Sequence, residues 1–185
     1  MNKTEYWNLI EQSKSYKEDQ VEWLTEELSK KSIDEIVDFE FIFESYMKES
    51  YQSHLWGAAY LIMGGCSDDS FDYFRGWLIS QGQEVYEKTL KEPEFLANYI
   101  TDENLGDEGV PEYEDFLNVG FDAFTLKKGG DPEVWDEDLY DEMLELLSQK
   151  GWVDPTEIEF DWEDEDDLEE MFPNLWERFG EDPLG

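Results

Sequence analysis

The residues best suited to chemistry cluster in one short stretch, where Gly64-Gly65-Cys66 is followed by Ser67-Asp68-Asp69 and, a turn or two later, by Arg75. Two adjacent carboxylates could hold a cation or act as acid and base, with Arg75 orienting an anionic group. The same residues also have a structural use. Side-chain oxygens at a helix start accept its unpaired N–H groups, carboxylates there are favoured by the helix dipole, and Asp72 can pair with Arg75 at i,i+3. Arg75 is one of two arginines in a chain with eleven lysines, which suggests a forked contact that lysine cannot make. Capping and pairing are therefore the preferred reading. A ligand site or enzyme built on His54, Asp68, Asp69 and Arg75 is the alternative.

His54 is the sole histidine and has no second His or Cys at ligand spacing, so a zinc site is not expected. Cys66, the sole cysteine, rules out a disulfide within the chain and fits a reducing cytoplasm. It sits near a helix start, which can lower a thiol pKa, but without an arranged base it reads as a small buried residue. The acidic runs Asp161–Asp167 and Asp102–Glu108 lack the glycine at the sixth loop position and the closing spacing of a calcium loop. No metal and no cofactor is expected.

The elements that must position these residues are helical. Leu55, Ala58, Ala59 and Ile62 recur at helical spacing, and Gly64 ends that run. Phe71, Phe74, Trp77 and Leu78 give the next helix a broad aromatic face that stops near Gly82. Upstream, Thr4 is a candidate cap for a helix carrying Tyr6, Trp7 and Ile10, and Val21, Leu24 and Leu28 mark a second. Ser32 and Glu35 match a capping box that opens a third, with Ile36, Phe39, Phe43 and Met47 inward and Asp38, Glu40, Glu44 and Lys48 toward solvent.

Downstream, Pro93 opens a short helix through Ile100, and Asp102–Val110 is an acidic loop. Pro111 starts a helix with Phe116, Val119, Ala123 and Leu126 inward, and Asp131-Pro132 starts one with Leu139, Met143, Leu146 and Leu147. Ile158, Phe160 and Trp162 alternate with acids, as an edge strand or as an extended loop anchoring its aromatics. The expected fold is all-α, a bundle of about seven to nine helices with a less regular acidic C-terminal segment. It is read as one domain over 1–185, with a core at 1–130 and an acidic extension at 131–185 packed on it.

Charge separates the functional classes. Fifty acids against thirteen bases leave a net charge of −37. Residues 1–100 hold 20 acids and 9 bases, whereas residues 101–185 hold 30 and 4. Such a surface repels nucleic acid and anionic membranes and attracts basic proteins. No apolar run reaches the ~20 residues of a membrane span, and no basic leader precedes one.

The stretch Trp56–Gly82, with Tyr6-Trp7-Asn8-Leu9-Ile10 and the Leu96-Ala97 after Pro93, resembles a bacterial family catalogued as domain of unknown function four-two-four-zero. The resemblance implies a small bacterial cytosolic protein and carries no activity or catalytic residues. The expectation is a non-enzymatic, cytoplasmic, acidic interaction protein. It would use Glu163, Asp164, Glu165, Asp166 and Asp167 to bind a basic partner, as an inhibitor, an immunity-type protein or a mimic of nucleic-acid charge.

Overall fold

Helix starts and stops are set by local chemistry, and most fall where the sequence places them. A computed structural model describes residues 1–105, 109–153 and 157–185, so part of the acidic loop at 102–110 lies outside the described residues. The helices are α1 Lys3–Ser13, α2 Gln20–Ser29, α3 Ile33–Glu49, α4 Ser53–Met63, α5 Asp68–Ser80 and α6 Gln83–Lys91. They continue with α7 Leu96–Tyr99, α8 Val119–Lys128, α9 Glu137–Gln149, α10 Glu165–Met171 and α11 Pro173–Phe179. The chain is all-α, with no strand among the described residues. No helix among them is long and apolar enough to cross a membrane.

The capping box before α3 is present: Ser32 N–H donates to Glu35 Oε2 at 3.1 Å, and Glu35 N–H to Ser32 Oγ at 3.3 Å. The cap of α1 is Asn2 rather than Thr4; its Oδ1 accepts from Thr4 and Glu5, and Glu5 closes a box onto the Asn2 N–H. The helix starts one residue before Thr4, so the Thr4 N–H is itself one of the donors that Asn2 caps. The helix expected after Asp131-Pro132 begins only at Glu137. Asp131 instead closes a turn, and Asp136 takes the cap.

Two compact units emerge, Met1–Tyr46 with Asp115–Pro155, and Met47–Glu114 with Thr156–Gly185. In the first, α2 packs on α8 and α1, and α8 on α9. Tyr6, Ile10, Leu24, Leu28, Ile36, Ala123 and Phe124 are fully buried there. Leu126, read as inward, is 39% exposed at the last turn of α8. Asp38 joins the amino terminus to Lys150, whose ammonium lies 2.6 Å away.

In the second unit, α4 and α5 form the centre, with Leu55, Ile62, Phe71, Phe74, Trp77 and Leu78 buried. Helices α10 and α11 pack on α4 through Leu168, Phe172 and Leu175, none of which keeps any exposure. Burying each such side chain contributes about 1.5–3 kcal/mol. Residues 157–163 form no strand and have no regular secondary structure, with a bend at Asp161, and their aromatics dock on α4. Trp162 Nε1 donates to the Ser53 carbonyl at 3.1 Å, Asp161 N–H to Ser53 Oγ at 2.9 Å, and the Phe160 ring sits 5.2 Å from Trp56.

This docking depends on Gly57. A Cβ there would meet Leu168 Cδ2 at 2.7 Å, Trp162 Nε1 at 3.0 Å and Phe172 at 3.3 Å. Gly57→Leu should release the segment from Asp161 to Phe172. Limited proteolysis should then cut between α9 and α10 much faster than in the parent; equal cutting rates would show that the C-terminal segment does not need this seat.

Candidate functional site

The Gly64–Arg75 elbow is assembled from short-range pieces. Gly64 takes the left-handed conformation at φ 68° that ends α4, and Gly65 N–H returns to the Tyr60 carbonyl at 3.0 Å. Ser67 then caps α5, accepting from Ser70 N–H at 3.2 Å. Asp68 and Asp69 occupy the first turn, exposed, where the helix dipole favours them.

Arg75 turns the other way. It is 5% exposed, with Nη1 donating to the Met47 carbonyl at 2.5 Å, Nε to the Phe71 carbonyl at 3.3 Å and Nη2 to the Asp72 carboxylate. Its guanidinium also lies 4.9 Å from the Tyr51 ring and 4.8 Å from Phe71. The forked contact expected of an arginine is thus spent on a brace between α5 and the end of α3. Asp68 and Asp69 are not among its partners.

His54 is exposed on α4, its ring 4.7 Å from Phe172. Burial, and then the Glu112 charge, push the Cys66 thiol up to about 12, opposite to the direction a nucleophile needs. Among the described residues, no three His, Cys, Asp or Glu side chains converge to hold a metal ion.

The acidic run 163–167 is exposed throughout, but two of its members are structural. Asp164 Oδ1 accepts from Asp166 N–H at 3.1 Å and Asp167 N–H at 3.2 Å, while Asp167 Oδ2 accepts from Glu163 N–H at 2.8 Å. Together they cap α10. Glu163, Glu165 and Asp166 leave their carboxylates to the solvent.

A second carboxylate group escaped the sequence reading. Glu40, placed with the solvent face of α3, is only 7% exposed, and its Oε2 is buried without a hydrogen-bond partner. The reason is Gly120, in the first turn of α8, where a Cβ would lie 1.9 Å from that oxygen. Any side chain at position 120 would force the carboxyl out of its present place. Burial, followed by the charges of Glu44 and Asp122, holds the Glu40 carboxyl well above the ordinary glutamate range, so the neutral acid is favoured. Asp122 is pushed up to about 6 by burial and by Asp115 and Glu133. The one sequence signal for this arrangement was a glycine inside a helical pattern that did not stop there.

A family model described as a protein of unknown function, DUF4240, matches residues 1–126. The match ends inside α8, so residues 163–167 lie beyond it. No curated protein and no solved structure matches the chain.

Proposed function

This chain belongs to the DUF4240 family, and on that premise we propose that it is a non-enzymatic acidic interaction protein that binds a basic partner, as an inhibitor, an immunity-type protein or a mimic of nucleic-acid charge. The observation that carries the reading is the surplus of carboxylates over the cations available to them, fifty against thirteen. Several of those cations are already held: Lys14 by Glu11, Lys30 by Glu27, Lys128 by Glu142, Lys150 by Asp38 and Arg75 by Asp72. The surplus faces water, where it raises the association rate of a basic protein and suppresses acidic ones. A duplex carries one charge per ~1.7 Å of axis, a density that rows of Asp and Glu can imitate. The reading includes a bacterial cytoplasm, which the single cysteine supports. The competing enzyme would need Asp68, Asp69 and Arg75 to converge, and Arg75 is engaged elsewhere.

The test is capture of the partner by the intact protein from native lysate at low and high salt, followed by association kinetics with the captured protein. A basic partner released by salt is expected, because exposed charges are screened beyond ~8 Å at physiological ionic strength. Glu163→Gln with Glu165→Gln and Asp166→Asn should slow association severalfold and leave the melt unchanged, since Asp164 and Asp167 keep their caps. An acidic partner, or association indifferent to salt, would sink the proposal.

A further inference from the structure

Between α8 and α9 the chain is pinned at two points. Asp131 accepts the Glu133 N–H on its side chain at 3.1 Å and the Val134 N–H on its carbonyl at 3.0 Å. Asp136 then accepts the Leu139 N–H at 3.1 Å to start α9. Val134 and Trp135 stand between these two fixed turns, 63% and 65% exposed.

Trp135 is not isolated. Its ring centroid lies 5.5 Å from Phe121 on α8 and 4.9 Å from Tyr140 on α9, and Phe121 meets Tyr140 edge-on at 5.6 Å. Three elements therefore deliver three mutually touching rings to a surface that still leaves most of the tryptophan in water. An exposed aromatic cluster on a chain this polar is a mark of recognition, and Trp and Tyr are the side chains that most often anchor interfaces.

The surroundings name the occupant. Asp122 follows Phe121 directly, and Glu133 lies two residues before Trp135. Burial first, and then the nearby charges of Asp115 and Glu133, hold the Asp122 carboxyl above its ordinary range, which places these acids close together. Where one of the chain's own cations sits over a ring among the described residues, the ring is another one: Lys3 over Tyr46, Arg75 over Tyr51 and Phe71, Lys88 over Phe95, Lys128 over Phe124 and Arg178 over Phe179. Aromatic faces attract cations, most often guanidinium, and crowded carboxylates add to that attraction.

We propose that Phe121, Trp135 and Tyr140 seat an arginine side chain of a basic partner, its guanidinium against the rings and its charge met by Asp122 and Glu133. This rests on the reading of the protein as a binder of basic partners and assigns that partner an anchor residue. Phe121 and Tyr140 are held by their helices and the Trp135 backbone by the two turns, which limits the entropy lost on docking.

A hexa-arginine peptide titrated into the intact protein tests the seat, with the Trp135 indole N–H resonance (assigned by its loss in Trp135→Phe) and the peptide Kd as readouts. The resonance should shift along the binding curve, and Trp135→Ala should weaken binding about fivefold to tenfold, with hexa-lysine bound less tightly than hexa-arginine. Trp135 is exposed, so its removal should leave the helical circular dichroism and melt in place. Equal affinity in wild type and Trp135→Ala, with no indole shift, overturns the seat while leaving an acidic binder standing. No binding of either peptide overturns both. Concentration-dependent self-association that disappears in Trp135→Ala would give the face to a second copy of the chain and equally overturn the proposal.

Discussion

Arg75→Ala should destabilise the protein by about 2–4 kcal/mol, read as a shift of the urea midpoint at unchanged slope. The loss has identifiable parts. Removing the guanidinium takes a donor at 2.5 Å from the Met47 carbonyl, which keeps the Ser50 hydroxyl at 3.1 Å, and a lost bond from a charged group costs about 1.5–3 kcal/mol. The planar group also packs on the Tyr51 and Phe71 rings, and that cation–aromatic contact contributes about 0.5–2 kcal/mol when desolvated. The Asp72 ion pair adds little. Its carboxylate is 47% exposed, water screens it, and Asp72→Asn should fall within about 1 kcal/mol of wild type. Arg75→Lys should not rescue the alanine variant, because a single ammonium cannot reach both the Met47 carbonyl and the Phe71 carbonyl. If Arg75→Ala melts with the parent, the brace is energetically idle and the elbow returns as a ligand site.

Glu40→Gln is expected to raise stability at neutral pH and to flatten its dependence on pH. The direction follows from which state holds the proton. Burial, with Glu44 and Asp122, raises the folded-state pKa of Glu40 above its unfolded value. Its stabilising contribution is therefore complete below the ordinary glutamate range and is lost as pH rises toward the folded-state pKa. Across that window the folded state binds one more proton than the unfolded state, so stability falls by about 1.4 kcal/mol per pH unit. Asp122, raised to about 6, adds to the slope between the ordinary aspartate range and that value.

The general repulsion of fifty acids acts in the same direction, so the wild-type curve alone does not isolate Glu40. Glutamine does, because it keeps the shape beside Gly120 and cannot ionise. Parallel urea titrations from pH 5 to pH 8 should show the two proteins converging at the acid end and separating toward neutrality. Curves that remain parallel over the whole range would mean that Glu40 reaches water in the folded state.

What the sequence determined by itself is the part that depends on neighbours along the chain. The Ser32–Glu35 box, the Gly64 stop, the Ser67 cap and the inward stripe of Ile36, Phe39 and Phe43 are all decided within one or two helical turns. The spacing of apolar residues accordingly legislated an all-α chain, and the charge surplus required a solvated acidic surface. Even local chemistry left room for error where two candidates compete, as when Asn2 takes the cap from Thr4 and Asp136 takes it from Asp131.

Tertiary structure decided which face meets what. Glu40 and Glu44 look alike on α3, and only the position of Gly120 on α8 makes one of them a buried acid. Arg75 could have faced Asp68 and Asp69, but the Met47 carbonyl at the end of α3 offered a buried acceptor, and water cannot compete there. Phe121, Trp135 and Tyr140 belong to an α8 helix, a turn and an α9 helix, and no periodicity connects them. Their meeting is set by how α8 packs on α9, because contacts between distant residues are fixed by the packing of whole elements rather than by the pattern within any one of them.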